Sequence, residues 1–303
     1  YTMREIRGNM QLKADLMMLI ATLCWGSSYL FFKMGLETIE PLNLIFIRFT
    51  IGFLVAGAIF YKRILRADRT TMKYSFILGT ILFIAFAAIT FALKTTSVSN
   101  AGFLVCLSVV FVPLISSFIL KEKLSRKLLV GVCFAFSGIG MLTLNSQLTL
   151  TLGDILCILC AFFYAIHIIL TSKFTKHVDS LSLGVLQLGF CALWGLIFSF
   201  IFETPKLPET TNAWISVLAL GIVCSALGFT IQSIAQKYTT PTHTGLIFSF
   251  EPISAALFAY IFIGETLTVQ GYIGAGIVIM GILIAELDFR KLFQKKNRLK
   301  QTA

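Results

Sequence analysis

Ten apolar stretches of about 20 residues each run through this chain, and they constrain its fold more than any other feature. A helix of about 20 residues spans about 30 Å, which is the thickness of the hydrocarbon core of a bilayer. The connections are short, so none of them forms a domain in water. The stretches cover residues 14–34, 43–61, 74–93, 99–120, 127–144, 153–171, 181–202, 213–236, 242–263 and 269–287.

The composition agrees with membrane insertion. Of the 303 residues, 57% are hydrophobic and only 13% are charged, whereas soluble domains carry about 25% charged residues. The chain therefore lacks the polar surface of a soluble globular enzyme, and it is too apolar to be disordered or a disulfide-stapled secreted module. We predict an all-α integral membrane protein with ten transmembrane helices.

The Lys and Arg residues behind the net charge of +11 are concentrated in the loops on one side of the predicted spans. The N-terminal arm, the loops after spans two, four, six and eight, and the tail hold 21 of the 25 cations. The loops on the other side hold Lys33, Lys94 and Lys206, and Arg48 lies inside span two. By the positive-inside rule, this predicts a multi-pass protein of the cell membrane with both termini cytoplasmic. The charge thus reflects topology, and we expect no nucleic-acid partner.

The two halves of the chain repeat each other. A shift of 143 residues aligns Gly102 with Gly245 and Glu122 with Glu265. Five spans is an odd number, so the second half must cross the membrane in the opposite sense. We predict two inverted five-helix repeats, at residues 14–144 and 153–287, flanked by an arm at 1–13 and a basic tail at 288–303. Inverted repeats are typical of secondary transporters, whose substrate site lies near the midplane between the halves.

A shift of 139 residues pairs Trp25 with Tyr164, and Pro113 with Pro252. A proline inside a span removes a backbone donor and can open the helix. We therefore predict that Pro113 and Pro252 are bending points for gating.

Several motifs resemble those of the EamA-type transporters of the drug/metabolite transporter superfamily. They are Cys24-Trp25-Gly26-Ser27-Ser28 in span one, Pro41 followed by Arg48-Phe49, and the helix-end segments at 120–124 and 263–267, each followed by paired glycines (Gly131 and Gly138, Gly274 and Gly281). The first helix-end copy departs from the pattern, with Lys121 where the second has Gly264. Together the motifs extend over residues 14–287. The resemblance implies ten helices and alternating-access export of small metabolites, without indicating a particular substrate.

Glu251 is the most informative polar residue, because it is the carboxylate nearest the centre of a span. A charge at that depth is costly unless it is paired or neutralised, so it marks a functional site by default. Two interpretations are open: a carboxylate that binds protons or a cation, or one held structurally by Arg48 or a tyrosine. Arg48 itself either clamps a substrate carboxylate or phosphate, pairs with Glu251 in one state, or snorkels to the outer interface.

Other polar and aromatic residues are candidates for the transport path. His167 lies deep in span six, where it either relays protons or packs with a hydrogen-bonded neighbour. Candidate cavity linings, each of which could instead serve packing, are Trp25, Tyr164, Gln187, Trp194 and Gln232. The paired glycines of spans five and ten predict close helix contact, either within one chain or in a homodimer.

Motifs for cofactor or metal chemistry are missing from the sequence. It contains no P-loop, G-x-S-x-G, H-E-x-x-H or dinucleotide-binding fingerprint. Cys157 and Cys160 have C-x-x-C spacing but lie inside a span without a second pair, which favours small core residues. We expect no cofactor, no metal and no enzymatic activity. The hypothesis is a secondary active transporter that exports a small polar or amphipathic metabolite, such as an amino acid or a related compound, by alternating access. A further hypothesis is that Glu251 alternates between a proton and the substrate. The alternatives are a uniporter or exchanger, a flippase for lipid-linked carriers, and an accessory membrane subunit.

Overall fold

The computed structural model describes residues 3–119, 126–143, 151–248, 250–264 and 266–286. Within these residues the chain forms ten helical spans and no strand. Seven spans are simple helices: α1 (Met3–Gly35), α2 (Pro41–Ile64), α3 (Arg69–Ala92), α5 (Arg126–Thr143), α6 (Leu152–Phe174), α7 (Ser180–Phe202) and α10 (Val269–Glu286).

The other three spans depart from a single regular α-helix. The span α4 consists of Val98–Val105 and Ser108–Ile119, and α9 consists of Pro241–Phe248 and Glu251–Ile263. The span α8 (Thr211–Ala235) is unbroken, but its middle, Ala219–Leu227, winds as a π-helix. Pro252 is the second residue of the second piece of α9. Pro113 lies inside the second piece of α4, so the break in α4 comes at 106–107 rather than at the proline.

The predicted fold class is confirmed. In the described part of the chain, α1, α2, α3, α4, α6, α7 and α8 are long and apolar enough to cross a membrane, and α5, α9 and α10 contain shorter apolar helices. The predicted arm at 1–13 does not form a separate segment, because α1 already begins at Met3. The tail at 288–303, the motif at 120–124 and Glu265 lie outside the described residues.

The helices pack with a pseudo-two-fold relation between the halves. The spans α2 and α7 pack on each other, as do α4 and α9. The remaining contacts come in equivalent pairs: α3 packs on α6 and α7, and α8 packs on α1 and α2. Exchanging the halves therefore leaves the packing unchanged, which is the arrangement that the inverted repeat predicts.

The last helices of the two halves, α5 and α10, form a pair at the side of the bundle and contact each other far more than the rest. A Cβ added at Gly138 would lie 2.6 Å from the Gly274 carbonyl oxygen and 2.7 Å from the Val278 nitrogen. Small residues let membrane helices approach this closely. At Gly138, therefore, the glycine pattern serves packing within one chain.

The helix ends that face water are capped by polar groups. Asp68 accepts a hydrogen bond from the Thr71 backbone nitrogen at the start of α3, and hydrogen bonds from Thr71 lower the pKa of this carboxyl. Asp179 caps α7 in the same way through Ser182. Glu40, by contrast, does not cap α2. The carboxylate of Glu203, at the end of α7, accepts from the Leu42 and Asn43 backbone nitrogens (2.9 and 2.8 Å) and closes α2 from outside.

Two ends of the bundle can be distinguished by charge. We call the end where α2 and α6 finish and α3 and α7 begin the basic end; there Arg63 pairs with Asp179 (3.1 Å) beside Arg66 and His177. It is the end predicted to be cytoplasmic. We call the other end, which contains the Glu203 cap and the Lys94–Glu40 pair, the opposite end.

We expect Gly138→Ala to lower the free energy of unfolding by about 1–3 kcal/mol, because the new methyl group meets backbone atoms of α10 that cannot turn aside. Thermal unfolding of the detergent-purified protein measures the effect. Gly276→Ala on α10 is the matched control, because its Cβ would meet nothing within 4 Å. Equal melting temperatures for the two variants would contradict the assignment of Gly138 to the helix contact.

Candidate functional site

A cavity lies where the two halves of the bundle meet. Its walls come from α1, α3 and α4 of the first half and from the equivalent helices α6, α8 and α9 of the second. The cavity measures about 30 Å³, which is room for about two water molecules. It is lined by Trp25, Ser28, Tyr29, Phe32, Ala85, Phe86, Ile89, Val105, Cys160, Tyr164, Phe229 and Glu251.

Glu251 is the charged residue of this cavity. It begins the second piece of α9, directly before Pro252, and its side chain is buried. The Tyr29 hydroxyl on α1 donates a hydrogen bond of 2.8 Å to its Oε1. The two helices approach closely because α1 has glycine at position 26, where a Cβ would overlap Ser254 and lie 3.1 Å from the Glu251 carbonyl oxygen. A tyrosine hydroxyl therefore contacts the carboxylate, and this contact is compatible with both interpretations of Glu251.

Aromatic rings form most of the remaining wall. Trp25 packs on Tyr164, Phe229 and Phe248, with ring centroids 6.1, 5.1 and 5.0 Å apart. The indole Nε1 of Trp25 donates a 2.8 Å hydrogen bond to the Cys224 carbonyl oxygen. The cavity thus combines a single carboxylate and a few hydroxyl groups with apolar faces, which suits an amphipathic ligand better than a fully charged one.

The π-helical segment of α8 supplies hydrogen-bond partners to two site residues. Cys224 accepts from Trp25, and the next residue, Ser225, accepts from Arg48. Short π-helical stretches are uncommon and occur frequently at functional sites. Nothing in the residue pattern of span eight predicts this winding.

Arg48 lies beside the cavity and not in its wall. Its side chain is completely buried, so the interpretation that it snorkels to the outer interface is wrong. Its Nε donates to Ser225 Oγ (2.7 Å), and no described residue accepts a hydrogen bond from Nη1 or Nη2. Among the described residues no carboxylate lies within 4 Å of the guanidinium. In this state Arg48 and Glu251 therefore do not form an ion pair.

A second group of polar residues lies between the cavity and the basic end. His167 Nε2 donates to Gln187 Oε1 (2.8 Å), and Gln187 Nε2 donates to Ser233 Oγ (3.4 Å). Gln236 Nε2 donates to the Ile168 carbonyl oxygen (3.3 Å), and neither amide atom of Gln232 has a partner. We call this set (His167, Gln187, Gln232, Ser233 and Gln236, all fully buried) the inner polar cluster.

The inner polar cluster adjoins the cavity without opening into it. The imidazole of His167 stacks on the ring of Tyr164 (5.9 Å between centroids) and meets Phe229 edge-on (6.1 Å). Both aromatic residues also line the cavity. Two rings therefore separate the Glu251 cavity from the polar residues on its basic-end side.

The structure brings only part of the predicted site together. Trp25, Tyr164 and Glu251 share the cavity, whereas His167, Gln187 and Gln232 do not line it. Trp194 is remote from it, because its indole nitrogen donates to Thr80 on α3 (2.9 Å). The sequence analysis missed Tyr29 and Ser225. The position of Tyr29, one helical turn after Trp25, was a usable signal, since residues four apart share a helix face.

Comparison with known proteins identifies relatives along most of the chain. The model of the EamA-like transporter family matches residues 12–144 and 151–287. An uncharacterized transporter of Archaeoglobus fulgidus is 27% identical over 92% of this chain and 88% of its own length. A Salmonella typhimurium protein named "Probable amino-acid metabolite efflux pump" is 28% identical over 93% of this chain and 97% of its own. One crystal structure superposes with a TM-score of 0.72 at 21% identity, covering 92% of this chain and 98% of that one, which shows the fold.

We expect Tyr29→Phe to lower the free energy of unfolding by about 1–3 kcal/mol, because it leaves the buried Glu251 carboxylate without its hydrogen-bond donor. Chemical unfolding of the detergent-purified protein measures this, and a double-mutant cycle with Glu251→Gln isolates the coupling between the two side chains. Tyr260→Phe on the exposed face of α9 is the control. An effect no larger than that of the control would contradict the contact.

Proposed function

We propose that this chain, which belongs to the EamA-like transporter family, is a secondary active transporter that exports a small polar or amphipathic metabolite by alternating access. The name of the Salmonella typhimurium relative supports an amino acid or a related compound as the substrate and export as the direction. In this proposal the protein lies in the cell membrane with both termini in the cytoplasm. The two five-helix halves are the units that rock against each other.

The observation that carries the proposal is the single carboxylate in the cavity between the halves. Glu251 is buried, is held by one neutral hydroxyl group and faces apolar rings. Buried charge in such surroundings is expensive, so a proton or a cationic group of the substrate can neutralise it at a gain in free energy. Competition between the two at one carboxylate couples the movement of one to the movement of the other, as an exporter driven by protons requires.

The size of the cavity indicates which state the structure represents. Sites for small molecules commonly measure about 300–1,000 Å³, whereas this cavity has about 30 Å³. In the proposal, the helices are packed too closely around this cavity for a metabolite to fit, so substrate entry requires the halves to separate. Pro113 and Pro252, which lack a backbone donor, are the proposed bending points of α4 and α9 for this movement.

The two ends of the α2–α7 pair differ in the strength of the polar contacts that hold the two helices together. At the basic end Arg63 and Asp179 form an exposed ion pair, a type that contributes only about 0–1 kcal/mol. At the opposite end Glu203 holds two backbone nitrogens of α2, and the Asn43 amide donates to the Lys206 carbonyl oxygen (2.7 Å). We infer that the basic end opens more readily, and that the described state precedes loading from that side.

We assign the inner polar cluster a role in the transport cycle, as a path for water and protons. It lies between the basic end and the cavity, and among the described residues the amide atoms of Gln232 and the Nδ1 atom of His167 have no hydrogen-bond partner. Buried amides without partners cost about 1–3 kcal/mol each, so water entering from the basic end would be bound there. In the proposal this cluster is the hydrated route by which protons and substrate reach Tyr164 and then Glu251.

We expect Glu251→Gln to abolish solute-driven proton movement, because the amide cannot take up and release a proton. Proteoliposomes with the pH-sensitive dye pyranine inside are exposed to each member of an amino-acid panel, and the internal pH is recorded. Glu209→Gln, an exposed loop carboxylate, is the control and should behave as the wild type. Full proton movement in Glu251→Gln would refute the coupling role. Substrate counterflow in wild-type protein without any proton movement would instead identify a uniporter or exchanger.

We expect the C2 hydrogen of His167 to exchange with deuterated water within days at neutral pH, because the inner polar cluster is hydrated. Peptide mass spectrometry of the protein in lipid nanodiscs reads each histidine separately. The exposed His177 at the basic end is the internal reference for unhindered exchange. If the C2 hydrogen of His167 does not exchange over this period, the hydrated route is contradicted. We expect Gln232→Leu to slow the exchange of His167 several-fold.

A further inference from the structure

The guanidinium of Arg48 is enclosed by rings. Its Cζ atom lies 4.4, 4.8 and 4.9 Å from the ring centroids of Phe86, Phe32 and Phe49. The single polar partner is Ser225, which accepts from Nε and leaves both amino groups, Nη1 and Nη2, without a partner. The residue is fully buried, eight residues into α2.

The buried guanidinium has no opposite charge beside it among the described residues. An arginine side chain stays charged under physiological conditions, and buried charges in proteins are normally paired with an opposite charge. The faces of aromatic rings attract the cation but do not accept its N–H donors along the plane of the guanidinium. Four N–H donors remain on the two amino groups, and the pair on the edge between Nη1 and Nη2 matches the two oxygens of a carboxylate or phosphate.

The rings around Arg48 also form part of the cavity wall. Phe32 and Phe86 line the cavity that contains Glu251, and each of them also packs on the guanidinium. They therefore separate the cavity from Arg48 by the thickness of a ring. Because phenylalanine rings turn by rotation about two side-chain bonds, a modest movement of either ring brings the free amino groups of Arg48 into contact with the cavity.

We propose that Arg48 and Ser225 form a binding site for the carboxylate or phosphate group of the transported solute, closed from the cavity by Phe32 and Phe86 in the state described. The inference rests on the proposed function, which it deepens: the solute carries an anionic group. Ser225 is a positioning residue, since it fixes the plane of the guanidinium through Nε. Glu251, which does not pair with Arg48, remains free for a proton or a cationic group.

The test uses two small anions as probes, acetate and inorganic phosphate, at constant ionic strength with sodium chloride as the reference. We expect one of them to raise the melting temperature of the purified protein by several degrees with a saturable dependence on concentration. The neutral analogue acetamide should have no effect. Stabilisation by acetate identifies a carboxylate site, and stabilisation by phosphate identifies a phosphate site.

Variants locate the site. Arg48→Lys keeps the charge but loses the paired donors, and should weaken anion binding at least tenfold; Arg48→Met should abolish it. If these variants fail to fold, Phe86→Leu provides a second test. Removing one of the two rings that separate Arg48 from the cavity should lower the half-saturating anion concentration several-fold. Arg66→Gln at the exposed basic end is the control for binding to surface cations and should leave the response unchanged.

Two results would overturn the site: no stabilisation of the wild type by either anion, or full stabilisation of a folded Arg48→Met variant. Either result would leave the proton coupling at Glu251 untouched, because that is measured separately by proton movement in proteoliposomes. Anion binding that depends on Arg48, together with absent proton coupling, would support this site while refuting that part of the proposed function.

Discussion

Every backbone N–H and C=O group in the hydrocarbon core of a bilayer must find its partner within the protein, because no water is there to replace it. This requirement makes the chain helical throughout its apolar stretches and places irregular backbone inside the bundle. The break in α4 at 106–107 occurs at buried residues, and the second piece of α9 begins at the buried Glu251. At the opposite end of the bundle, Glu203 accepts hydrogen bonds from the first backbone nitrogens of α2, where Glu40 supplies no cap of its own.

Hydrophobicity is concentrated in long runs, and that is why the helical spans were predictable. The predicted limits of the second, sixth and seventh spans differ from the structural ones by no more than about three residues, and the repeat shifts anticipate which helices are equivalent. The π-helical winding of α8 was not predictable, because it goes with contacts to other spans: Trp25 of α1 and Arg48 of α2 donate hydrogen bonds to Cys224 and Ser225.

The sequence was sufficient to predict which residue types belong to the site, but not which of them contact each other. Glu251 and Arg48 are conspicuous because charge inside a span is rare and costly. Whether they touch depends on the distance between α2 and α9, about which a single sequence says nothing. The same holds for His167 and Gln187, which are twenty residues apart in the chain and meet only because α6 and α7 are adjacent. Tyr29 escaped notice because a tyrosine in an apolar span usually serves packing.

The pseudo-two-fold relation has one more consequence. Arg48 and Gln187 are each the eighth residue of equivalent helices, α2 and α7, and so occupy corresponding positions toward opposite ends of the bundle. Glu251 begins the second piece of α9 as Ser108 begins the second piece of α4, so by the 143-residue shift these two residues correspond. If the two halves were identical, the arrangement in which they exchange roles would have the same free energy as the described one. Here a cation on one side corresponds to a neutral amide on the other, and a carboxylate corresponds to a serine hydroxyl. The backbone arrangement is therefore nearly symmetric while the charges are not, so the two arrangements would differ in free energy.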